Sequence, residues 1–221
     1  MRVFLLLIVI LCTTSCGYLV DMNQGTPVAG ESPFKVRVGG VDSSRDMCEF
    51  SIQPPSGNGW HIGLSKWGPT AFGLRFSRVR DKLLLRGFEG VFVYSVEDTV
   101  PLAHASTDGE WFRRLIPDQY SSPQIEELEL TIEGVDSLVL EGREFHVVPF
   151  SVEYYIGSSR HARGHILDRG VVYVMRSPCH QWPGSIVFCW FMMNCRGHAS
   201  LPASGALEVM SDMMRSFASD N

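Results

Sequence analysis

His161 and His165 stand four residues apart, the spacing that sets two imidazoles on one helical face, and Cys179, His180, Cys195 and His198 follow. Zinc takes such ligands in a closed tetrahedron. The neighbours argue against it, because Arg160, Arg163 and Arg169 crowd the two histidines and repel a dication. Gly157 and Gly164 also make Ser158–Arg169 read as a loop rather than a helix, which removes the shared face. Neither Cys-x-x-Cys nor His-Glu-x-x-His occurs. No metal and no cofactor is therefore expected. The same residues make a local positive patch on a solvated loop. Arg160, His161, Arg163 and His165, with Trp182 as an aromatic anchor, are the candidate partner-binding residues.

Nucleophilic catalysis needs Cys or Ser beside a His and an orienting acid. Cys179 and His180 adjoin in sequence, and neighbours on a strand point opposite ways. There is no Gly-x-Ser-x-Gly elbow, and Gly87-Phe88-Glu89-Gly90 lacks the lysine and glycine spacing of a phosphate loop. Glu126, Glu127 and Glu129 read as the solvent side of a strand. No catalytic residue is assigned and the protein is not expected to be an enzyme. The alternative reading is an envelope enzyme or metal protein using Cys179, His180 and the His161/His165 loop.

The opening MRVFLLLIVILCTTSC places one Arg before nine apolar residues, Val3–Leu11, then small polar residues up to Cys16. Nine residues rise about 14 Å as a helix, half of a hydrocarbon core of roughly 30 Å, so this run does not span. A basic start, a short apolar run and small residues before a cut make a secretory signal peptide. Thr13-Thr14-Ser15-Cys16 resembles the lipobox of bacterial lipoproteins, with Thr where the first position prefers Leu. Cys16 is therefore the candidate lipidation site, carrying acyl chains such as palmitate. Gly17 is not the Asp that holds enteric-type lipoproteins at the inner membrane. The expected location is a bacterial cell envelope, lipid-anchored, with the outer membrane favoured and the body facing an extracytoplasmic space. The net charge is −5, and removing Met1–Ser15 makes the remainder one unit more acidic. Nucleic acid is excluded as the main partner.

The expected division is 1–15 signal peptide, 16–46 lipidated Cys and flexible tether, and 47–221 a single α+β domain. Gly17–Asp46 is rich in turn residues and buries little apolar surface, although Phe34–Val38 alternates as a short strand would. Strands are expected at Cys48–Ile52, Trp60–Ile62, Ala71–Val79, Gly90–Val96, Glu127–Glu133, Phe145–Ile156, Gly170–Met175 and Ile186–Cys195. The last is apolar on both faces, which places it centrally. Trp111–Ile116 reads as an internal helix before Pro117, and Ser204–Ala218 as a C-terminal helix presenting Leu207, Met210, Met214 and Phe217. The sum is an antiparallel β-sheet of six or more strands with one internal helix and a C-terminal helix packed on it.

Four cysteines follow Cys16: Cys48, Cys179, Cys189 and Cys195. On one strand, Cys189 and Cys195 lie about 20 Å apart on one face, beyond the roughly 7 Å limit for a bridge. Cys179 at a hairpin tip is equally far from Cys195. Two readings stay open, a Cys48–Cys195 disulfide or four unpaired thiols with Cys189 buried.

The order of features resembles exported bacterial lipoproteins of unknown function with a PsbP/Mog1-like sandwich. The residues that carry it are the lipobox, Phe50-Ser51-Ile52-Gln53-Pro54-Pro55 with Gly59-Trp60, and Phe72-Gly73-Leu74-Arg75-Phe76. Glu153-Tyr154, Ser177-Pro178-Cys179-His180, Val187–Met192 and the final Arg215-Ser216-Phe217 stand near later landmarks. Phe145 stands where those proteins often carry Cys, and Gln181-Trp182 delays the Pro after His180, so their disulfide is not carried over. The resemblance implies a fold, an envelope location and no catalytic residues. The role expected of the chain as a whole is a lipid-anchored, non-catalytic module that binds an envelope protein partner, of assembly or immunity type.

Overall fold

Period-2 alternation sends successive side chains to opposite faces, and this chain uses it along most of its length. A computed structural model describes residues 26–28, 34–38, 48–64, 73–81, 86–96, 125–156, 164–177, 184–192, 203–216 and 218–219. The first strands are β1 (Thr26–Pro27), β2 (Phe34–Val38), β3 (Cys48–Ile52), β4 (His61–Leu64), β5 (Gly73–Asp81) and β6 (Arg86–Val96). There follow β7 (Ile125–Ile132), β8 (Asp136–Leu140), β9 (Arg143–Ile156), β10 (Gly164–Arg176) and β11 (Ser185–Met192). Helix α1 (Ala203–Ser216) and β12 (Ala218–Ser219) come last.

Among the described residues, nine strands form one antiparallel sheet in the order β1-β4-β5-β6-β11-β10-β9-β7, with β8 also on β9. A second sheet runs β12-β3-β2. β11 is interior in the large sheet and buried at every position, as its apolar run on both faces requires. One face carries Phe76, Val91, Val93, Tyr173, Phe188 and Trp190, and α1 lays Val209, Met210, Met213 and Met214 on it. The other carries Phe92, Tyr94, Phe150, Tyr154, Cys189 and Phe191, with Leu128, Leu130 and Ile132 against them. The C-terminal methionines are thus core.

Two glycines let this second face close. Gly90 lies opposite Phe191 and Gly170 opposite Phe150, and a Cβ on either would stand 2.4 Å from the ring. The rings lie across bare backbone. At the β8–β9 connection Leu140 pairs Arg143 around Glu141 (φ 50) and Gly142 (φ 74), the type I′ geometry that suits strand twist. In β7 the register shifts between Glu126 and Glu129, with Glu127 at φ 53. That bulge, with exposed Glu127 and Glu129, blunts the sheet edge.

The antiparallel sheet with a helix packed on it is the expected α+β arrangement, and several boundaries differ. Gly164–Arg169, expected as loop, is the first half of β10, because the long β9 supplies ladder partners down to Ile156. Within the stretch expected as a flexible tether, Thr26–Pro27 pairs β4 and Phe34–Val38 pairs β3 over five residues. Composition understates these segments because a short strand draws its backbone bonds from neighbours, whatever its own apolar content. The C-terminal helix stops at Ser216 and Ala218 is strand. Gln53 N donates to Ser216 Oγ at 2.8 Å, and the chain turns there to pair with β3. The internal helix expected at Trp111–Ile116 lies outside the described residues.

Candidate functional site

Of the residues nominated from sequence, His165 is described. It faces Tyr155 across the β9–β10 ladder with ring centroids 5.1 Å apart, and its Nε2 pairs with the carboxylate of Glu153. Its immediate partner is thus an acid rather than another member of the positive patch. Arg160, His161, Arg163, Trp182, Cys16 and Cys195 lie outside the described residues, as do Cys179, His180 and His198. Cys48 opens β3 opposite Val38, and its side chain is likewise not described. Among the described residues no three or more His, Cys, Asp or Glu side chains converge as a metal site. Trp60 is buried in the core rather than displayed.

The most concentrated chemistry sits on the helix side of β5, β6 and β11. Arg78 and Glu89 are a directly opposed cross-strand pair. Arg78 Nε donates to Glu89 Oε2 at 2.7 Å, and Trp190 Nε1 donates to Glu89 Oε1 at 2.7 Å. Glu89 is fully buried and the Arg78 side chain is 14% exposed. The guanidinium lies 4.3 Å from the centroid of the Trp60 ring, a cation–π contact strengthened by desolvation. Trp60 Nε1 and Arg78 Nη1 both donate to the Ser56 carbonyl, at 3.0 and 3.4 Å.

Ser56 then ties this cluster to the helix. Its N–H donates to the Val209 carbonyl at 3.0 Å and its hydroxyl to the Glu208 carbonyl at 3.0 Å. A buried carboxylate is tolerable only when its lone pairs are engaged, and here both oxygens accept from protein donors. The cluster therefore fixes the register of β5, β6 and β11 and the seat of α1. It is a scaffold for whatever surrounds it. Sequence reading passed over Glu89 while dismissing a phosphate loop. The signal was a pair of opposite charges, Arg78 and Glu89, continuing the apolar positions Leu74, Phe76, Val91 and Val93 on the same face of two adjacent strands.

The second face holds another buried acid. Asp168 Oδ2 accepts from the Tyr154 hydroxyl at 3.0 Å, and both residues are buried. Burial also pushes the Tyr173 phenol up to about 12 and raises the Cys189 thiol far above its ordinary value. A thiol kept protonated in apolar surroundings is an inert core residue.

No known protein family matches the sequence. No curated protein matches it. Among solved structures the chain is similar to the solution structure of cyanobacterial PsbP (CyanoP) from Synechocystis sp. PCC 6803. The TM-score is 0.41 at 13% identity, over 87% of this chain and 95% of that one.

Proposed function

We propose that this protein is a lipid-anchored, non-catalytic binding module of a bacterial cell envelope, with a PsbP/Mog1-like body facing an extracytoplasmic space. The observation that carries the reading is the run Arg2, Val3–Leu11 and Thr13-Thr14-Ser15-Cys16: a basic start, an apolar stretch too short to span, and a cysteine after small residues. One acyl chain gives marginal membrane binding, whereas a diacylated cysteine anchors stably. The partner is an envelope protein of assembly or immunity type, met through Arg160, His161, Arg163, His165 and Trp182.

Mass spectrometry of the membrane-extracted protein tests the anchor. The expected result is a mature chain beginning at an acylated Cys16, with Cys16→Ser retaining its leader. An unacylated mature chain overturns it. Crosslinking in intact envelopes tests the binding role. One stoichiometric partner, lost in an Arg160→Ala/Arg163→Ala variant, is expected; recovery of abundant neighbours alone overturns the reading. Stoichiometric zinc in the purified mature domain would instead support the Cys179/His180 alternative.

A further inference from the structure

Of the three arginines on strand β5, Arg75 and Arg78 lie on opposite faces. Arg78, on the helix side, has Glu89. Arg75, on the other side, has Nε buried with no hydrogen-bond partner, and among the described residues no ion pair to it is found. Burying a guanidinium nitrogen without a partner costs stability, so such a group calls for an explanation. The chain does not lack carboxylates, having 24 acids against 19 basic residues.

A second unpartnered nitrogen stands beside it. His61 Nδ1, on β4, is also buried with no partner. In the β4–β5 ladder His61 faces Ser77 and Gly63 faces Arg75, so these four residues share one face of the sheet. Gly63 is its bare corner. A Cβ placed there would stand 3.5 Å from Arg75 Nη2 and 3.8 Å from Nε. Those two nitrogens are the side-on fork that binds a carboxylate or phosphate through two parallel N–H···O bonds. The fork is thus aimed at the space over Gly63, and His61 flanks the same space from the same strand.

We propose that Arg75 and His61, over Gly63, form a binding site for an oxyanion, a carboxylate or a phosphate. The anion oxygens take Arg75 Nε–H and Nη2–H, and a third bond comes from His61 in the form carrying its proton on Nδ1. Phe92 stands directly across from Arg75 on β6 and stacks on Phe191 with centroids 5.1 Å apart. That wall favours an oxyanion borne on an apolar or aromatic body over a bare one.

The test follows the Arg75 Nε–H resonance of the isotope-labelled full-length protein by NMR. Acetate, benzoate, inorganic phosphate and a short peptide with free or amidated C-terminus are the probes. A saturable shift of that resonance is expected, larger in affinity for benzoate than for acetate. A preference for the free over the amidated peptide assigns the anion to a chain terminus; a response to the small anions alone assigns it to a small molecule. Gly63→Ala keeps both donors and meets Arg75 only at ordinary contact distance, so it folds while filling the site. It should weaken binding about tenfold or more, the loss expected for one charge-assisted bond. Arg75→Gln should do the same. No saturable shift with any probe overturns the proposal, as does equal affinity in Gly63→Ala, which decides alone if Arg75→Gln fails to fold.

Discussion

Glu89 accepts from Arg78 on one oxygen and from Trp190 on the other, so removing either charge strands its partner in a desolvated site. Glu89→Ala is expected to cost about 3–5 kcal/mol in urea unfolding, the usual penalty for an orphaned buried charge. An Arg78→Met/Glu89→Leu double variant, which removes both charges at similar volume, should recover most of that loss. Additive single losses would show that the pair is not coupled. Tyr173 allows a second test. Its folded value is raised from 10.0 to about 12 by burial. Across that window the folded state keeps a proton that the unfolded chain has released. The contribution is full below 10 and lost as pH climbs towards 12. Tyr173→Phe has no such proton, so its urea midpoint should fall less than wild type over the same interval. Neither residue announced itself in the sequence: Glu89 lay in a glycine-flanked tetrapeptide and Tyr173 in an apolar strand. Burial and cross-strand partners, which are properties of register, gave them their character.

Elements were more legible than the contacts between them. Alternation located β3, β5 and β9, an apolar run marked β11 as central, and helical spacing located α1. What alternation cannot express is length set by a neighbour. β10 reaches back to Gly164 because β9 extends to Ile156, whereas the alternation of Phe34–Val38 did mark β2. The glycines of the second face were equally silent, since nothing in Glu89-Gly90-Val91 says that a phenyl ring from another strand rests there. Gly90→Ala and Gly170→Ala should each destabilise the fold by about 1–3 kcal/mol through overpacking, read as a fall in thermal midpoint. Neither site has the left-handed backbone that would make the cost one of strain instead. Wild-type midpoints in both variants would mean the rings move aside freely.

Across the whole molecule, the loop between β3 and β4 clasps α1. Ser56 donates to Glu208 and Val209, and Gln53 donates to Ser216, residues separated by 163 positions. Ser56→Ala, which deletes the hydroxyl bond, should cost about 1 kcal/mol. Hydrogen exchange of the α1 amides should quicken in that variant while the β9–β10 ladder stays protected. Equal acceleration in both would mean helix and sheet open as one unit. The proposed anchor, by contrast, rests on the leader's own residues alone and draws nothing from the fold. The candidate partner loop was read just as locally, and its described member His165 shows the limit of that reading: its charge partner, Glu153, comes from the adjacent strand.

The clasp also sets a timetable. A polypeptide made from its amino end holds β3 and its loop long before Glu208, Val209 and Ser216 exist, and β12 closes on β3 later still. One face of the large sheet lacks its methionine cover until Met210, Met213 and Met214 have been made. Joining such distant segments is slow, since closure entropy precedes any reward. An unfinished chain consequently cannot lock into its native form. Until Glu208, Val209 and Ser216 are made, the loop after β3 has none of the acceptors that seat the helix.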